Sequence, residues 1–227
     1  MHLSVGENAV AKRITFVGAD QQSLTLLDKA LGLIPTNLPA ARRTALHELG
    51  IDIEELNVRL QRHLSEYLSG ERTRSSVEWW MKREIRYFYR HAYLEGLRSA
   101  GNYKPLDEWG DKTLVRLRRQ EYRYLRQFLN DVDARAGVMD YRRRMRMYAD
   151  ALSGVYWLAF VRANRSSRRR IRWVRTPAES CPTCLKLDGR KWTPQDFLRW
   201  YKRTGILPGK GTQCLSNCKC LLEDYYV

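Results

Sequence analysis

Apolar side chains recur every three or four positions along three stretches of the middle of the chain, and this spacing predicts three long α-helices. The first runs from about Ser76 to Ala100, the second follows "KPLDEWGD", and the third ends near Ala163. The residues predicted to face a core are Val77, Met81, Ile85, Phe88, Ala92 and Gly96; Leu114, Leu117, Glu121, Leu125, Phe128 and Val132; and Tyr141, Met145, Tyr148, Leu152, Tyr156, Ala159 and Ala163. Any helix bundle requires such stripes, so we interpret them as core packing rather than as a cofactor site.

The first seventy residues carry shorter helical patterns that are separated by helix-breaking residues. "DQQSLTLLDKALGL" begins with the capping residue Asp20 and stops before Pro35, and "PAARRTALHELG" ends at Gly50. The stretch that follows places on one helix face Ile53, Leu56, Leu60, Leu64 and Tyr67. These patterns predict a small N-terminal region of short helices.

The periodicity changes at Ile171, where "IRWVRT" alternates between polar and apolar residues and predicts a β-strand. The pair Asp188-Gly189 in "LKLDGRKW" is a signal for a two-residue hairpin turn. "TPQDFLRWYKRTG" predicts a compact helix with Thr193 as its cap, Pro194 in its first turn and Gly205 at its end. "KCLLEDYY" predicts a final strand.

These elements predict a mainly α protein of the α+β class in three parts. They are a helical N-terminal region (residues 1–70), an arginine-rich body of long helices (71–170) and a small β-rich lobe (171–227). No stretch approaches the roughly 18 apolar residues of a membrane-spanning helix, and the N-terminus has no signal-peptide pattern. We therefore expect a protein that is made and kept in the cytoplasm, without a membrane partner.

The net charge of +16 is spread unevenly along the chain. Residues 1–70 have a net charge of −1, whereas residues 71–227 have a net charge of +17. A one-sided field of this kind indicates a polyanionic partner, most simply nucleic acid, although solvated helix faces are the alternative. "VRANRSSRRRIRWVR" holds seven arginines and no acidic residue, and these are the predicted nucleic-acid-binding residues: Arg162, Arg165, Arg168, Arg169, Arg170, Arg172 and Arg175.

All five cysteines lie near the C-terminal end: Cys181, Cys184, Cys214, Cys218 and Cys220. Clustered cysteines at such spacing in a cytosolic chain indicate metal ligands before disulfides, and zinc prefers four thiolates in a tetrahedron. We predict one structural zinc ion per chain, held by four of the five cysteines and stapling the β-rich lobe. A disulfide or redox pair and inert buried thiols are the alternatives.

The sequence offers no catalytic constellation. No histidine or glutamate motif stands near the cysteines to serve as a general base, so an open catalytic zinc is not indicated. Asp107, Glu108 and Asp111 fit a solvated loop with a helix cap better than an acidic metal site. We therefore predict a protein that is not an enzyme and has no small-molecule substrate.

The order of segments resembles a known family. A helix ending in "HAYLEGLRSAG", the arginine-rich "YRRRMRMYADALSGVYWLAFVRAN", then "IRWVRTPAESCPTCLKLDGRKW" and "GTQCLSNCKCLLE" is similar to the phage head morphogenesis (Mu F-like minor head protein) family. Its usual C-terminal pattern is tryptophan, "CPxC", "LxGR" and "NCRC". The similarity spans about residues 76–223. This sequence departs from the commoner pattern by having Cys214 where a histidine precedes the last cysteine pair.

The resemblance implies a minor structural protein of a tailed-phage virion, associated with the portal and the inside of the head and acting in head assembly or in DNA packaging or delivery. It implies the portal protein as a partner, leaves contact with the major capsid protein open, and places the chain in the host cytoplasm during assembly. The basic body would bind packaged double-stranded DNA without sequence preference. A stand-alone zinc-ribbon regulator and a nuclease are the alternative functions.

Overall fold

A computed structural model of the protein describes residues 40–134, 140–175, 181–213 and 220–226. Within these ranges the chain forms four long helices, two shorter helices and a three-stranded sheet, which confirms the predicted mainly α, α+β fold. No helix in the described ranges is both long and apolar enough to cross a membrane. The elements are α1 (Ala40–Leu68), α2 (Arg74–Ser99), α3 (Glu108–Asp133), α4 (Tyr141–Ala163), β1 (Arg169–Val174), α5 (Pro182–Leu187), β2 (Lys191–Trp192), α6 (Pro194–Thr204) and β3 (Leu221–Tyr226).

Helix α4 lies at the centre of the bundle and packs against α1, α2 and α6. The three predicted stripes are buried, apart from Tyr141 and Ala163 at the two ends of α4, which are half-buried. Helices α2 and α4 approach closely at Gly96, where an added Cβ would stand 2.2 Å from the carbonyl oxygen of Tyr156. Any larger residue at this position would force the two helices apart.

Helix α1 is one continuous helix of 29 residues, so the predicted break at Gly50 is wrong. A glycine inside a helix costs about 1 kcal/mol relative to alanine, which packing on both sides of it can offset. Leu49 and Leu56 flank Gly50 and are buried, and α1 packs against both α2 and α4. The division of the chain at residues 70 and 170 stays a prediction, and the helix expected at "DQQSLTLLDKALGL" lies outside the described residues.

The strands form an antiparallel sheet in the order β2-β1-β3. The alternation predicted for β1 is present, because Ile171 and Trp173 are buried and Arg172 between them is exposed. Helix α6 begins and ends as predicted: Thr193 accepts a hydrogen bond from the Asp196 amide, and Gly205 adopts a left-handed φ of 70°.

The hairpin predicted at Asp188-Gly189 is wrong, because the residues before this turn form the short helix α5. Pro182 in its first turn favours a helical start over a strand. The turn itself is present, and the Gly189 amide donates to the carbonyl oxygen of Trp173 at 2.9 Å. The turn therefore fastens α5 to β1 and leads the chain into β2.

Candidate nucleic-acid interface

Four of the seven predicted nucleic-acid-binding arginines are paired with acidic side chains of the protein. The most enclosed is Arg162 in the last turn of α4, whose side chain is 14% exposed. Its guanidinium donates to both carboxylate oxygens of Asp107 and, at 3.0 Å, to the Tyr93 hydroxyl. The same guanidinium carbon lies 3.8 Å from the ring centroid of Trp109. Arg162 thus holds the start of α3 against the end of α4.

The other three paired arginines lie in or next to β1. Arg169 donates to Asp224 of β3 at 2.8 Å, and Arg172 donates to Glu223 at 3.1 Å. The Arg175 guanidinium lies 3.6 Å from the carboxylate of Asp188. These pairs hold the sheet and the α5 turn together, so the arginines concerned carry charge that is already balanced.

The remaining three arginines of the segment have no such partner. Among the described residues, no carboxylate oxygen lies within 4.0 Å of Arg165, Arg168 or Arg170. Arg165 and Arg168 are exposed, and Arg170 is half-buried. Binding of nucleic acid by the seven arginines stays a prediction. Arg165 and Arg168 are at the surface without an acidic partner among the described residues. Arg170 is close enough to Asp196 to act on its carboxyl, whose pKa is lowered first by hydrogen bonds from Thr193 and Arg199 and then by the charge of Arg170.

A second basic region, which our sequence reasoning missed, is formed by the outer sides of α2 and α3. We call it the α2–α3 face, and its basic residues are Lys82, Arg83, Arg86 and Arg90 on α2 and Arg116, Arg119, Arg123 and Arg126 on α3. All seven arginines are exposed, and Lys82 is half-buried. Tyr122 of α3 joins the two helices by donating to the carbonyl oxygen of Lys82 at 3.1 Å.

A sequence signal for this face does exist. The four arginines of α3 recur every three or four positions, on the side of the helix opposite its leucine stripe. A helix face does not appear as a run of consecutive arginines in the sequence. The signal that identifies the α2–α3 face is a set of like charges that recur every three or four residues along a helix.

The α2–α3 face keeps most of its charge, because Lys82 is paired with Glu78 but most of its arginines have no acidic partner in the described part of the chain. Within the described ranges no carboxylate oxygen lies within 4.0 Å of Arg86, Arg90, Arg119, Arg123 or Arg126. From residue 112 to residue 126, α3 holds six basic side chains and one acidic side chain, Glu121. Glu121 points away from the face into the protein, which leaves a strongly positive surface.

Glu121 is buried in an ion pair with Lys210, which lies in the loop that follows α6. The two side chains are 7% and 9% exposed. Burial, with the neighbouring Glu121 carboxylate as a further cause, raises the pKa of Tyr89 and of Tyr148, so both stay neutral phenols. The pair therefore lies in a poorly solvated junction between α3, α4 and the C-terminal lobe.

The predicted zinc ligands are described in part. Cys184 and Cys220 are buried and Cys181 is half-buried, while Cys214 and Cys218 lie outside the described residues. Cys220 directly precedes β3 at the end where Leu221 pairs with Val174. Helix α5 is held near that end, because the Arg175 amide donates to Asp188. Among the described side chains alone, no three His, Cys, Asp or Glu residues form a metal-binding group.

Comparisons of the chain with family profiles, with curated proteins and with solved structures found no match.

Proposed function

We propose that the protein is a minor structural protein of a tailed-phage head that binds packaged double-stranded DNA without sequence preference and has no catalytic turnover. The observation that carries the DNA contact is the row of exposed arginines on α3, which have no acidic partner among the described residues. Its ligand class follows from this row, because guanidinium forks match phosphate oxygens and contacts to phosphates carry no sequence information.

The spacing of the row suits a duplex backbone. Arg116 and Arg126 are ten residues apart, which is about 15 Å along a helix axis. Double-stranded DNA carries one negative charge per roughly 1.7 Å of its axis, so phosphates are within reach of every guanidinium on the row. Such contacts release counterions, and affinity should fall steeply as salt rises.

The assignment to a phage head is supported by the order of segments and by the "CPTCLKLDGR" and "NCKC" patterns at residues 181–190 and 217–220. Portal contact belongs to the proposal for the same reason. Residues 1–70, which are nearly neutral, would contact protein, and the basic α2–α3 face would contact DNA.

A structural zinc in the C-terminal lobe is part of the proposal. The donor set suits zinc, because Cys181, Cys184 and Cys220 supply sulfur ligands and the last two are buried. Zinc would hold the start of α5 to the start of β3, the two ends of a small lobe. Metal analysis of the purified chain should find one zinc ion, and a thiol count after denaturation with a chelator should find all five cysteines reduced. No metal together with fewer titratable thiols would overturn this part.

Mass spectrometry of gradient-purified particles tests the proposed function. The protein should be recovered from procapsids or mature virions, and its loss should lower head assembly or infectivity. Absence from both particles in cells where the protein is abundant would overturn the proposal. Sequence-specific DNA binding would then favour a regulator, and cleavage dependent on divalent ions would favour a nuclease.

A further inference from the structure

Helix α2 exposes large aromatic rings on the side that faces solvent. Trp79 is 56% exposed and Tyr87 is 61% exposed. Trp79, Arg83, Tyr87 and His91 follow one another at intervals of four residues, so they form a single row along the helix, which we call the α2 ladder. Successive members are about 6 Å apart along the helix axis.

The members of the ladder are flat groups held by their neighbours. The Arg83 guanidinium carbon lies 5.6 Å from the Trp79 ring centroid and 5.0 Å from that of Trp80. The rings of Tyr87 and His91 are parallel to within 2°, with centroids 6.3 Å apart. His91 Nδ1 is in turn 2.5 Å from a carboxylate oxygen of Asp52 on α1. These contacts orient the row, and Trp79 and Tyr87 keep much of their ring surface in water.

The charge beside the ladder is positive. Arg86 and Arg90 lie next to it on α2, and in the described part of the chain neither has a carboxylate within 4.0 Å. Two acidic residues of α2 are engaged away from the ladder, since Glu78 pairs with Lys82 and Glu84 is buried against Arg59. The third, Glu95, pairs with Arg98 and lies 3.9 Å from His91 at the C-terminal end of the ladder, away from Trp79. A ligand of the ladder must therefore combine flat apolar faces with negative charge.

Unpaired nucleotides have this combination, whereas a duplex does not, since its bases are stacked on one another and only their edges are open. We propose that the α2 ladder binds single-stranded nucleic acid, with bases stacked on Trp79 and Tyr87 and phosphates held by Arg86 and Arg90. Single-strand binding proteins use the same pairing of aromatic platforms with a basic groove. The site shares Arg83, Arg86 and Arg90 with the α2 side of the α2–α3 face. Its aromatic rings lie apart from the α3 row to which the proposed function assigns the duplex, and it takes a different ligand.

A protein surface is the other class of partner that seeks exposed tryptophan, tyrosine and arginine. The surroundings of the ladder favour a nucleic-acid strand over a protein partner. A protein partner would have to be acidic at the rim to match Arg86 and Arg90, whereas a nucleic-acid strand carries that charge on every unit.

The test measures binding of the full chain to a labelled oligothymidylate, to an oligouridylate and to a mixed-sequence duplex of the same length. The double variant Trp79→Ala/Tyr87→Ala should bind the two single strands about tenfold more weakly or worse, because each stacked base contributes appreciably to affinity. Its affinity for the duplex should change by less than about twofold. The comparison of thymidylate with uridylate distinguishes DNA from RNA as the source of the strand.

Two further variants keep the test interpretable. Trp79→Phe/Tyr87→Phe retains the rings and should retain most of the single-strand affinity. Tyr103→Ala removes a ring that is 77% exposed in the loop between α2 and α3 and should change nothing. Equal unfolding midpoints of all variants would establish that the fold is intact.

Unchanged binding of the single strands by the double alanine variant would overturn the inference and leave the ladder as a protein-contact surface. An equal loss of single-strand and duplex binding would overturn it as well, because the ladder would then be part of a general polyanion surface. Duplex binding by the unmodified chain belongs to the proposed function and does not depend on either outcome.

Discussion

The arginine-rich segment at residues 162–175 and the α2–α3 face contain the same kind of side chain in opposite surroundings. In the segment, Arg162, Arg169 and Arg172 are paired with acidic residues at least 51 positions away in the sequence. On the face, the arginines of α3 meet no acidic partner among the described residues. Density of arginine in the sequence and positive charge available to a ligand are therefore different properties.

The difference has an energetic consequence. A phosphate that approached Arg162 would compete with a bidentate carboxylate, so removing this arginine should affect folding more than binding. Arg119, Arg123 and Arg126 of the face have no acidic partner among the described residues, so removing them should affect binding more than folding. Stability and binding should respond to opposite sets of substitutions.

The largest effect on stability is expected at Lys210, the most deeply buried lysine or arginine among the ion pairs of the described residues. Lys210→Met should lower the free energy of unfolding by about 3–5 kcal/mol, because the charge of Glu121 is left buried without a partner. Chemical denaturation checks it, with Lys112→Met as the control, since Lys112 pairs with Glu108 in water with both side chains more than 70% exposed. Similar losses in the two variants would mean that the buried pair contributes no more than a surface pair.

The second effect concerns binding of duplex DNA. Changing Arg119, Arg123 and Arg126 together to glutamine should reduce the salt dependence of affinity by about 3 in slope, because each lost phosphate contact removes roughly 0.9. Stability should remain within about 0.5 kcal/mol, as for other exposed positions. Electrophoretic mobility shifts over a salt series measure the slope.

The matched variant for that experiment changes Arg168, Arg169 and Arg170, which removes the same charge from the segment. Its slope should fall by less, because Arg169 is paired with Asp224. The triple change on α3 and this one therefore compare the two regions directly. A larger fall for the segment variant would identify residues 162–175 as the main DNA contact and refute the comparison.

A smaller effect is expected for the cross-strand pair of Arg172 and Glu223, which face each other in the register of β1 and β3. Arg172→Glu alone should destabilise the protein by about 1 kcal/mol, since it places two acidic residues opposite each other. Adding Glu223→Arg should restore most of the loss. Thermal unfolding of the two single variants and the double variant measures the coupling, and a double variant no better than the singles would argue against a specific pair.

The sequence predicted the apolar cores of α2 and α3 because those helices bury one face, and periodicity reports such burial directly. It found only part of the core of α4, which is buried on nearly all sides between Tyr148 and Val161. It also located α6 through Thr193, Pro194 and Gly205, whose effects are local. The break expected at Gly50 failed, since packing against α2 and α4 outweighed a local preference. Partners of charged residues could not be predicted at all, because they depend on how distant elements meet.

Glu121 shows what the sequence can predict about a buried charged residue and what it cannot. Its place in an apolar stripe indicates a buried carboxylate, and a buried carboxylate requires a partner. Nothing in the spacing points to Lys210, 89 residues later. The same limit applies to Arg162, because nothing in its sequence surroundings indicates that Asp107, 55 residues away, is its neighbour in the fold.

The smallest effect is expected at Asp107, and it depends on pH. The hydrogen bond from Arg162 holds the pKa of the Asp107 carboxyl below its usual value. A depressed folded-state pKa contributes stability that is present above the unfolded-state pKa and is lost as the pH falls through the folded-state pKa. Asp107→Asn removes the charge while asparagine still caps α3 as well as aspartate does.

At neutral pH the Asp107→Asn variant should therefore be less stable than the unmodified protein by about 0.5–1 kcal/mol, the range of a partly exposed ion pair. The difference should be constant above the ordinary Asp pKa, near 3.8, and should disappear at lower pH. Denaturation of both proteins over a pH series measures it. A difference that persists under acidic conditions would mean that asparagine is a poorer cap here, and that the contact with Arg162 adds little to the junction of α3 and α4.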